Sequence, residues 1–184
     1  MKSVFIALSV LLALPAFATT IEIGKPLPKL SIEEHGELLL SDDEFSYQPW
    51  ESRSAGMPQV LQYLAGRASA QKQSKPFTDR LQEELPYGSY NVTTIVNLDD
   101  ALWGTSAFVA SEVRSSKREH PASTIVLDED GLGQETWQLE KGGAAIVLLD
   151  SDGEVLFIKQ GGMSEEEILA ALDLIRQQLP KTKS

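Results

Sequence analysis

The sequence predicts an α/β fold in which a mixed β-sheet is flanked by helices. Two observations support this prediction. Runs rich in β-branched and apolar residues alternate with segments of helical spacing, an order that is typical of α/β domains. Near its end the chain has an apolar run, a turn at Asp150–Gly153, a second run and a helix, which adds an antiparallel hairpin to strands that helical connections make parallel.

The first 18 residues have the pattern of a cleavable signal peptide. Lys2 precedes an apolar run from Val4 to Leu14, and Ala16 and Ala18 form an A-x-A cleavage pattern. The run is shorter than the roughly 20 residues that span a bilayer. We therefore expect a signal peptide at 1–18, export to a bacterial periplasm and a single domain at 19–184 without a membrane span. An uncleaved anchor or a buried helix is the alternative.

Composition excludes several classes of function. The chain has 27 acidic and 16 basic residues, a net charge of −11 and no cysteine. Such a charge repels phosphate backbones and anionic lipid, so we expect no nucleic-acid partner. Without a cysteine there is no disulfide exchange, no thiolate metal site and no cysteine nucleophile, and therefore no thiol oxidoreductase or peroxidase activity.

The first third of the mature chain is predicted to be extended or irregular. Residues 21–30 contain two prolines and suit an edge strand or an extended arm. Residues 31–40 suit two short strands that turn at Glu34–Gly36. Residues 41–58 are polar and aromatic, and we expect a loop there.

The central part alternates strands and helices. Its predicted strands are 59–64, 90–98 and 123–127, and its predicted helices are 76–85 and 108–117. A turn of small residues, Ala65–Ala70, follows the first of these strands. In open α/β sheets, such turns at the carboxyl ends of strands are where ligands bind.

The last part is predicted from turns and a helix cap. A short helix at 132–139 precedes a strand at 144–149, which turns back into 154–159. The final helix is expected at Ser164–Leu179, because Ser164 and Glu167 have the spacing of a capping box.

Four stretches support a family resemblance: 64–67 (Leu-Ala-Gly-Arg), 94–101, 137–139 (Trp-Gln-Leu) and the hairpin at 147–153. The order of elements resembles the thioredoxin fold, and its peroxiredoxin-like branch most closely. More narrowly, the chain resembles the YtfJ family of exported bacterial proteins over nearly the whole mature sequence. The resemblance implies a periplasmic thioredoxin-like domain with no assigned biochemical role.

The same resemblance identifies the positions at which this sequence lacks the redox residues of thioredoxins. Ser69 and Lys72 stand roughly where redox thioredoxins have their two cysteines, and Ala144 or Ala145 stands in place of their cis-proline. The resemblance therefore implies that the redox site is absent.

Ser69 and Lys72 also form the S-x-x-K pattern of penicillin-interacting serine enzymes. Those enzymes need S-D-N and K-T-G elements as well, and neither occurs in this sequence. The alternative is that Ser69 caps the following helix.

Arg67 has two possible roles. Beside a helix amino terminus, it could help to bind a small anion through its guanidinium fork. Alternatively, it could pair with Asp99 or Asp100, because consecutive parallel strands place their terminal loops side by side.

Asn97, Asp99, Asp100 and Trp103 form a second candidate patch. Their oxygens could contribute to a site for a hard cation such as Ca²⁺. The alternative is that the aspartates start the next helix. The tryptophan suits the core or its rim, and stacking on a ligand would need it exposed.

The predicted contact surface therefore comprises residues 67–72, 97–103 and the loop before Ala144, where the fold keeps a crevice. We expect a non-catalytic binding or interaction module without a cofactor, whose partner is a periplasmic protein or a small anionic ligand. The alternatives are an enzyme that uses Arg67, Ser69, Lys72, Asp99 and Asp100, and a binder that depends on a divalent metal.

Overall fold

The computed structural model describes residues 20–179, so the expected signal peptide with Ala16 and Ala18 lies outside the described residues. The strands are β1 (Ser31–Ser41), β2 (Glu44–Glu51), β3 (Gln59–Ala65), β4 (Asn91–Asn97), β5 (Thr124–Asp128), β6 (Ala144–Leu149) and β7 (Val155–Gln160). The helices are α1 (Ala68–Glu84), α2 (Ser106–Glu119), α3 (Leu132–Trp137) and α4 (Glu165–Gln178). Among these helices, none has the length and apolar character needed to cross a membrane.

The seven strands form one mixed sheet in the order β2-β1-β5-β4-β3-β6-β7. The central strands β3, β4 and β5 are parallel, and the remaining pairs are antiparallel. Helices α1 and α2 connect the parallel strands, as parallel pairing requires. The predicted α/β fold with a mixed sheet is confirmed.

Helices α1, α2 and α4 cover one face of the sheet, while α3 and the segment before β1 cover the other. On the first face, Phe77 and Leu81 of α1 are fully buried against Val60 and Ile146. Full burial of side chains of this size stabilises the fold by about 1.5–3 kcal/mol each. The predicted extended arm lies beside β7. The Gly24 N–H donates to the Val155 carbonyl oxygen, and the Val155 N–H donates to that of Lys25.

The first hairpin differs from the prediction. Residues 44–51, expected to be a loop, form the edge strand β2, and the chain turns at Asp42 and Asp43, both with positive φ. The expected turn at 34–36 is instead a bulge in β1, where Gly36 has φ +66° and a Cβ atom would lie 2.3 Å from the Gln48 carbonyl oxygen. Only Phe45 and Tyr47 mark the inner face of this edge strand, which gave too short an alternation to predict it.

Helix α1 begins at Ala68, eight residues before the predicted start. Its buried face begins with two small residues, Ala70 and Ser74, and continues with Phe77 and Leu81. Small residues give a weak periodic signal, which explains the late prediction. The capping box at Ser164 and Glu167 is confirmed, since each side chain accepts the other residue's backbone N–H.

Candidate functional site

Three loops meet at one edge of the sheet, where β3 and β4 end and β6 begins. The Gly66 N–H donates to the Asn97 carbonyl oxygen at 2.8 Å, and the Ala65 N–H donates to Gly143 at 2.9 Å. A Cβ atom on Gly66 would lie 2.9 Å from the Asn97 carbonyl oxygen, so a side chain does not fit there without movement. We refer to residues 65–72, 97–103 and 140–144 as the strand-end edge.

A salt bridge between Arg67 and Asp100 holds the three loops together. The arginine Nε donates to the Asp100 carbonyl oxygen at 2.7 Å, and its Nη2 donates to Asp100 Oδ1 at 2.5 Å. The other carboxylate oxygen, Oδ2, accepts the N–H of Gly142. The Asp100 side chain is 6% exposed and that of Arg67 is 34% exposed. The predicted pairing of Arg67 with an aspartate of the next loop is confirmed.

Asn97 positions Asp100 for this salt bridge through a hydrogen bond to the Asp100 backbone. Its Oδ1 accepts the Asp100 N–H at 3.1 Å, and its Nδ2 donates to Gln134 Oε1 at 2.8 Å. The side chain is buried and fixes the turn that presents Asp100. Asp99, by contrast, is exposed.

The expected helix-starting role of the two aspartates is wrong. Helix α2 begins at Ser106, after Thr105, so neither aspartate lies at its start. Both carboxylate oxygens of Asp100 are already bonded within the protein. Across residues 20–179, no three His, Cys, Asp or Glu side chains are grouped in a way that could hold a metal ion.

Ser69 and Lys72 lie on the first turns of α1. Both are exposed, and within residues 20–179 neither side chain has a hydrogen-bond or ion-pair partner. The predicted capping by Ser69 is wrong, because the residue at the N-cap position is Arg67 and no side chain caps this helix. A nucleophile needs a base within hydrogen-bond reach, and this pair does not show that contact.

The segment that replaces the cis-proline loop is closed by a glutamine. The Ala144 N–H donates to Gln73 Oε1 at 3.0 Å, and Ala144 packs against Ala65 and Ala70. No peptide bond between residues 20 and 179 is cis. Sequence reasoning missed both Gln73 and Gly142; the only available signal was the Gly142-Gly143 pair directly before an apolar strand.

The loop between β4 and α2 presents apolar side chains to solvent. Trp103 is fully exposed, and Leu102 and Phe108 are 57% and 64% exposed. The expectation that Trp103 belongs to the core or its rim is wrong. Trp137, in contrast, is buried and donates its Nε1–H to the Pro28 carbonyl oxygen at 2.8 Å.

A buried network lies beneath the strand-end edge. The Tyr63 hydroxyl donates to Asp128 Oδ2 at 2.7 Å and accepts the Gln134 N–H at 2.9 Å. Asp128 also accepts the N–H groups of Leu132 and Gly133 at 2.9 and 2.8 Å. Burial, together with the Asp128 charge, raises the pKa of Tyr63 far above its ordinary value. The tyrosine therefore remains a neutral donor that anchors α3.

Solved structures share this fold. The thioredoxin domain of a thiol-disulfide oxidoreductase from Bacteroides vulgatus aligns with a TM-score of 0.55 at 12% identity, over 84% of this chain and 98% of that one. A 2-Cys peroxiredoxin from Plasmodium vivax aligns with a TM-score of 0.50 at 17% identity, over 84% of this chain and 96% of that one. Such identities show the thioredoxin-like fold alone.

Sequence relatives are closer. A family model described as a bacterial protein of unknown function, YtfJ, matches residues 21–178. The uncharacterised protein YtfJ of Escherichia coli K12 is 38% identical over 171 residues, which cover 92% of this chain and 93% of that protein. An uncharacterised protein of Haemophilus influenzae is 33% identical over 179 residues, which cover 95% and 97% of the two chains. The cysteine-free, thioredoxin-like chain therefore belongs to the YtfJ family.

Proposed function

We propose that this protein is a periplasmic, non-catalytic binding module that contacts a protein partner through the strand-end edge. One observation supports this function above the others. The polar groups at the edge are bonded to one another or lie exposed without a partner, while Trp103 stands fully exposed beside them.

The bonding at the edge argues against catalysis. The hydrogen bonds of Arg67, Asn97 and Asp100 are made within the protein, where they hold the loops of the strand-end edge together. Ser69 and Lys72 form no hydrogen bond with each other. Catalysis by such groups requires a nucleophile and a base in contact within a cleft. The arrangement suits a rigid platform better than a reacting centre.

The exposed apolar side chains argue for a protein partner. Leu102, Trp103 and Phe108 project from the β4–α2 loop and the first turn of α2. Exposing large apolar side chains to water is unfavourable, and removing them from water is the main favourable contribution to most protein–protein association. Tryptophan is enriched among the residues that dominate interface energies. We therefore expect Trp103 to contribute most to partner binding.

Affinity capture with variants tests this proposal. The mature protein, Trp103→Ala and Tyr87→Ala are immobilised and exposed to periplasmic extract, and retained proteins are identified by mass spectrometry. Tyr87 is the matched control because it is 90% exposed and follows α1 at the other end of the sheet. We expect one protein to be retained by the wild type and Tyr87→Ala and lost with Trp103→Ala. Equal retention of that partner by the wild type and both variants would contradict the proposed binding surface.

A third variant tests whether the S-x-x-K pair, on which the enzymatic alternative depends, takes part in binding. Ser69→Ala combined with Lys72→Met removes the S-x-x-K pair without touching the Arg67–Asp100 salt bridge. We expect this variant to retain the same partner as the wild type. Its failure to do so, with folding intact by circular dichroism, would point to direct use of these side chains.

Export has its own test. Expression of the full chain followed by intact mass analysis of the periplasmic fraction should give a protein that begins at Thr19. Replacing Ala18 by a bulky residue should leave uncleaved precursor, since the cleavage pattern requires small residues. A full-length protein confined to the cytoplasm would overturn the proposed location.

A further inference from the structure

Two arginines of α2 lie over one aromatic ring of β2, at the far end of α2 from Trp103. The Cζ atom of Arg118 is 4.6 Å from the centroid of the Phe45 ring, and that of Arg114 is 6.0 Å from it. Arg114 also donates from Nη2 to the Tyr47 hydroxyl at 3.1 Å. The rings therefore hold both guanidinium groups in place through cation–π contacts and a hydrogen bond.

The bonding of these arginines differs from that of three other arginines in the chain. Within residues 20–179, Arg67, Arg80 and Arg176 each form a salt bridge with a carboxylate. Over the same residues, Arg114 and Arg118 form none, although the chain has 27 acidic residues. Like charges four residues apart on a helix repel each other. The pair is thus an exposed positive site without a salt-bridge partner among the described residues, on an acidic protein.

We propose that Arg114 and Arg118 bind a small oxyanion of the phosphate or sulfate type. A guanidinium presents a fork of N–H donors that matches such oxygens, and both side chains are exposed. The Phe45 ring limits the freedom of the side chains before binding, which lowers the entropic cost of ordering them. The Tyr47 ring is itself held by an edge-to-face contact with His35, at 4.8 Å between centroids.

The net charge of −11 does not prevent this binding. At physiological ionic strength, charges more than about 8 Å apart are largely screened, so nearby groups decide the local potential. The site is separate from the strand-end edge, and its occupancy does not depend on the proposed function.

Titration with inorganic phosphate, followed by NMR of the arginine Nε–Hε signals at constant ionic strength, tests the proposal. We expect saturable shifts at Arg114 and Arg118, which sulfate reproduces and chloride does not. Arg53 is the control, since it is exposed and, within the described residues, forms no salt bridge. Arg118→Gln should weaken phosphate binding by about fivefold or more, as loss of a charge-assisted fork implies, and Arg53→Gln should leave it unchanged.

A third variant tests the role of the Phe45 ring. Phe45→Leu keeps both charges but removes the cation–π contact, so phosphate binding should weaken while both signals still shift. Shifts that rise linearly without saturation, or that are as large at Arg53, would overturn the proposal. So would an affinity unchanged by Arg118→Gln.

Discussion

Two ion-pair systems in this protein differ in burial and in what they connect. The Arg67–Asp100 salt bridge is one pair with a nearly buried carboxylate, and with the Gly142 N–H it joins three loops that are distant in sequence. The second system lies where α1 meets α4 and has four salt bridges centred on Arg80, Glu84 and Arg176, of which two join the helices and two lie within one helix. It has more bonds, but its side chains are accessible to water.

The number of salt bridges is a poor measure of what they contribute to stability. Exposed ion pairs gain little because water screens the charges and ordering the side chains costs entropy. A buried carboxylate that loses its cation is left without compensation. We therefore expect the single Arg67–Asp100 pair to contribute more to the free energy of unfolding than the four pairs of the second system.

The largest effect is expected for Arg67→Ala. The change leaves Asp100, which is 6% exposed, without its cation, and should lower the free energy of unfolding by about 3 kcal/mol. Urea denaturation monitored by tryptophan fluorescence measures it. The double variant Arg67→Met with Asp100→Asn should recover part of the loss, because it also removes the uncompensated charge. A loss below about 0.5 kcal/mol for Arg67→Ala is typical of exposed pairs. It would contradict the greater contribution expected of the Arg67–Asp100 pair.

The next effect is expected for Tyr63→Phe, in the network beneath the edge. It removes the donor to Asp128 and the acceptor of the Gln134 N–H, so we expect a loss of about 2 kcal/mol. Tyr90→Phe is the control, because that hydroxyl makes one longer bond, of 3.3 Å, to the Leu81 carbonyl oxygen. Equal losses for the two variants in urea denaturation would show that this buried network has no special weight.

A smaller effect separates two glycines of the strand-end edge. Gly66→Ala would place Cβ 2.9 Å from the Asn97 backbone oxygen, whereas Gly143→Ala would place it 3.3 Å from Oε1 at the end of the Gln73 side chain. The first change should cost about 1–2 kcal/mol through backbone displacement, and the second should cost less. Thermal unfolding of both variants measures the difference. A larger loss of stability for Gly143→Ala than for Gly66→Ala would mean that the backbone of the three loops shifts easily despite the salt bridge.

The smallest effect is expected for Glu84→Gln in the network between α1 and α4. The hydrogen bond from Arg80 lowers the pKa of Glu84 from its ordinary value. A carboxylate whose pKa is lower in the folded state stabilises the fold above its unfolded pKa and loses this contribution as the pH falls. The melting temperatures of the variant and the wild type should therefore differ slightly at pH 7 and converge in acid, as scanning calorimetry can measure. A large difference at pH 7 would contradict the ranking.

Much of the fold could be predicted because its signals are local. The β-branched runs of the central strands and the Ser164 capping box depend on neighbouring residues. Strand β2 was missed because only Phe45 and Tyr47 mark its inner face, and the start of α1 because its buried face begins with small residues.

In the strand-end edge, only the contacts that follow from the order of the parallel strands could be predicted from the sequence. Parallel strands place their terminal loops together, so sequence order predicted that Arg67 pairs with Asp99 or Asp100, and the structure shows that the partner is Asp100. The bond from Gly142 to Asp100 spans 42 residues and left no local pattern. The exposure of Trp103 was also hidden, because an aromatic residue after a strand suits a core and a surface equally.

Site-specific photo-crosslinking in living cells tests the central claim most directly. A photoreactive amino acid replaces either Trp103 or Tyr87, both of which are almost fully exposed. We expect a discrete protein adduct from position 103, none from position 87, and loss of the adduct when Leu102→Asp is added. The same adducts from both positions, or none from 103 in a correctly folded protein, would contradict the assignment of the strand-end edge as the binding surface.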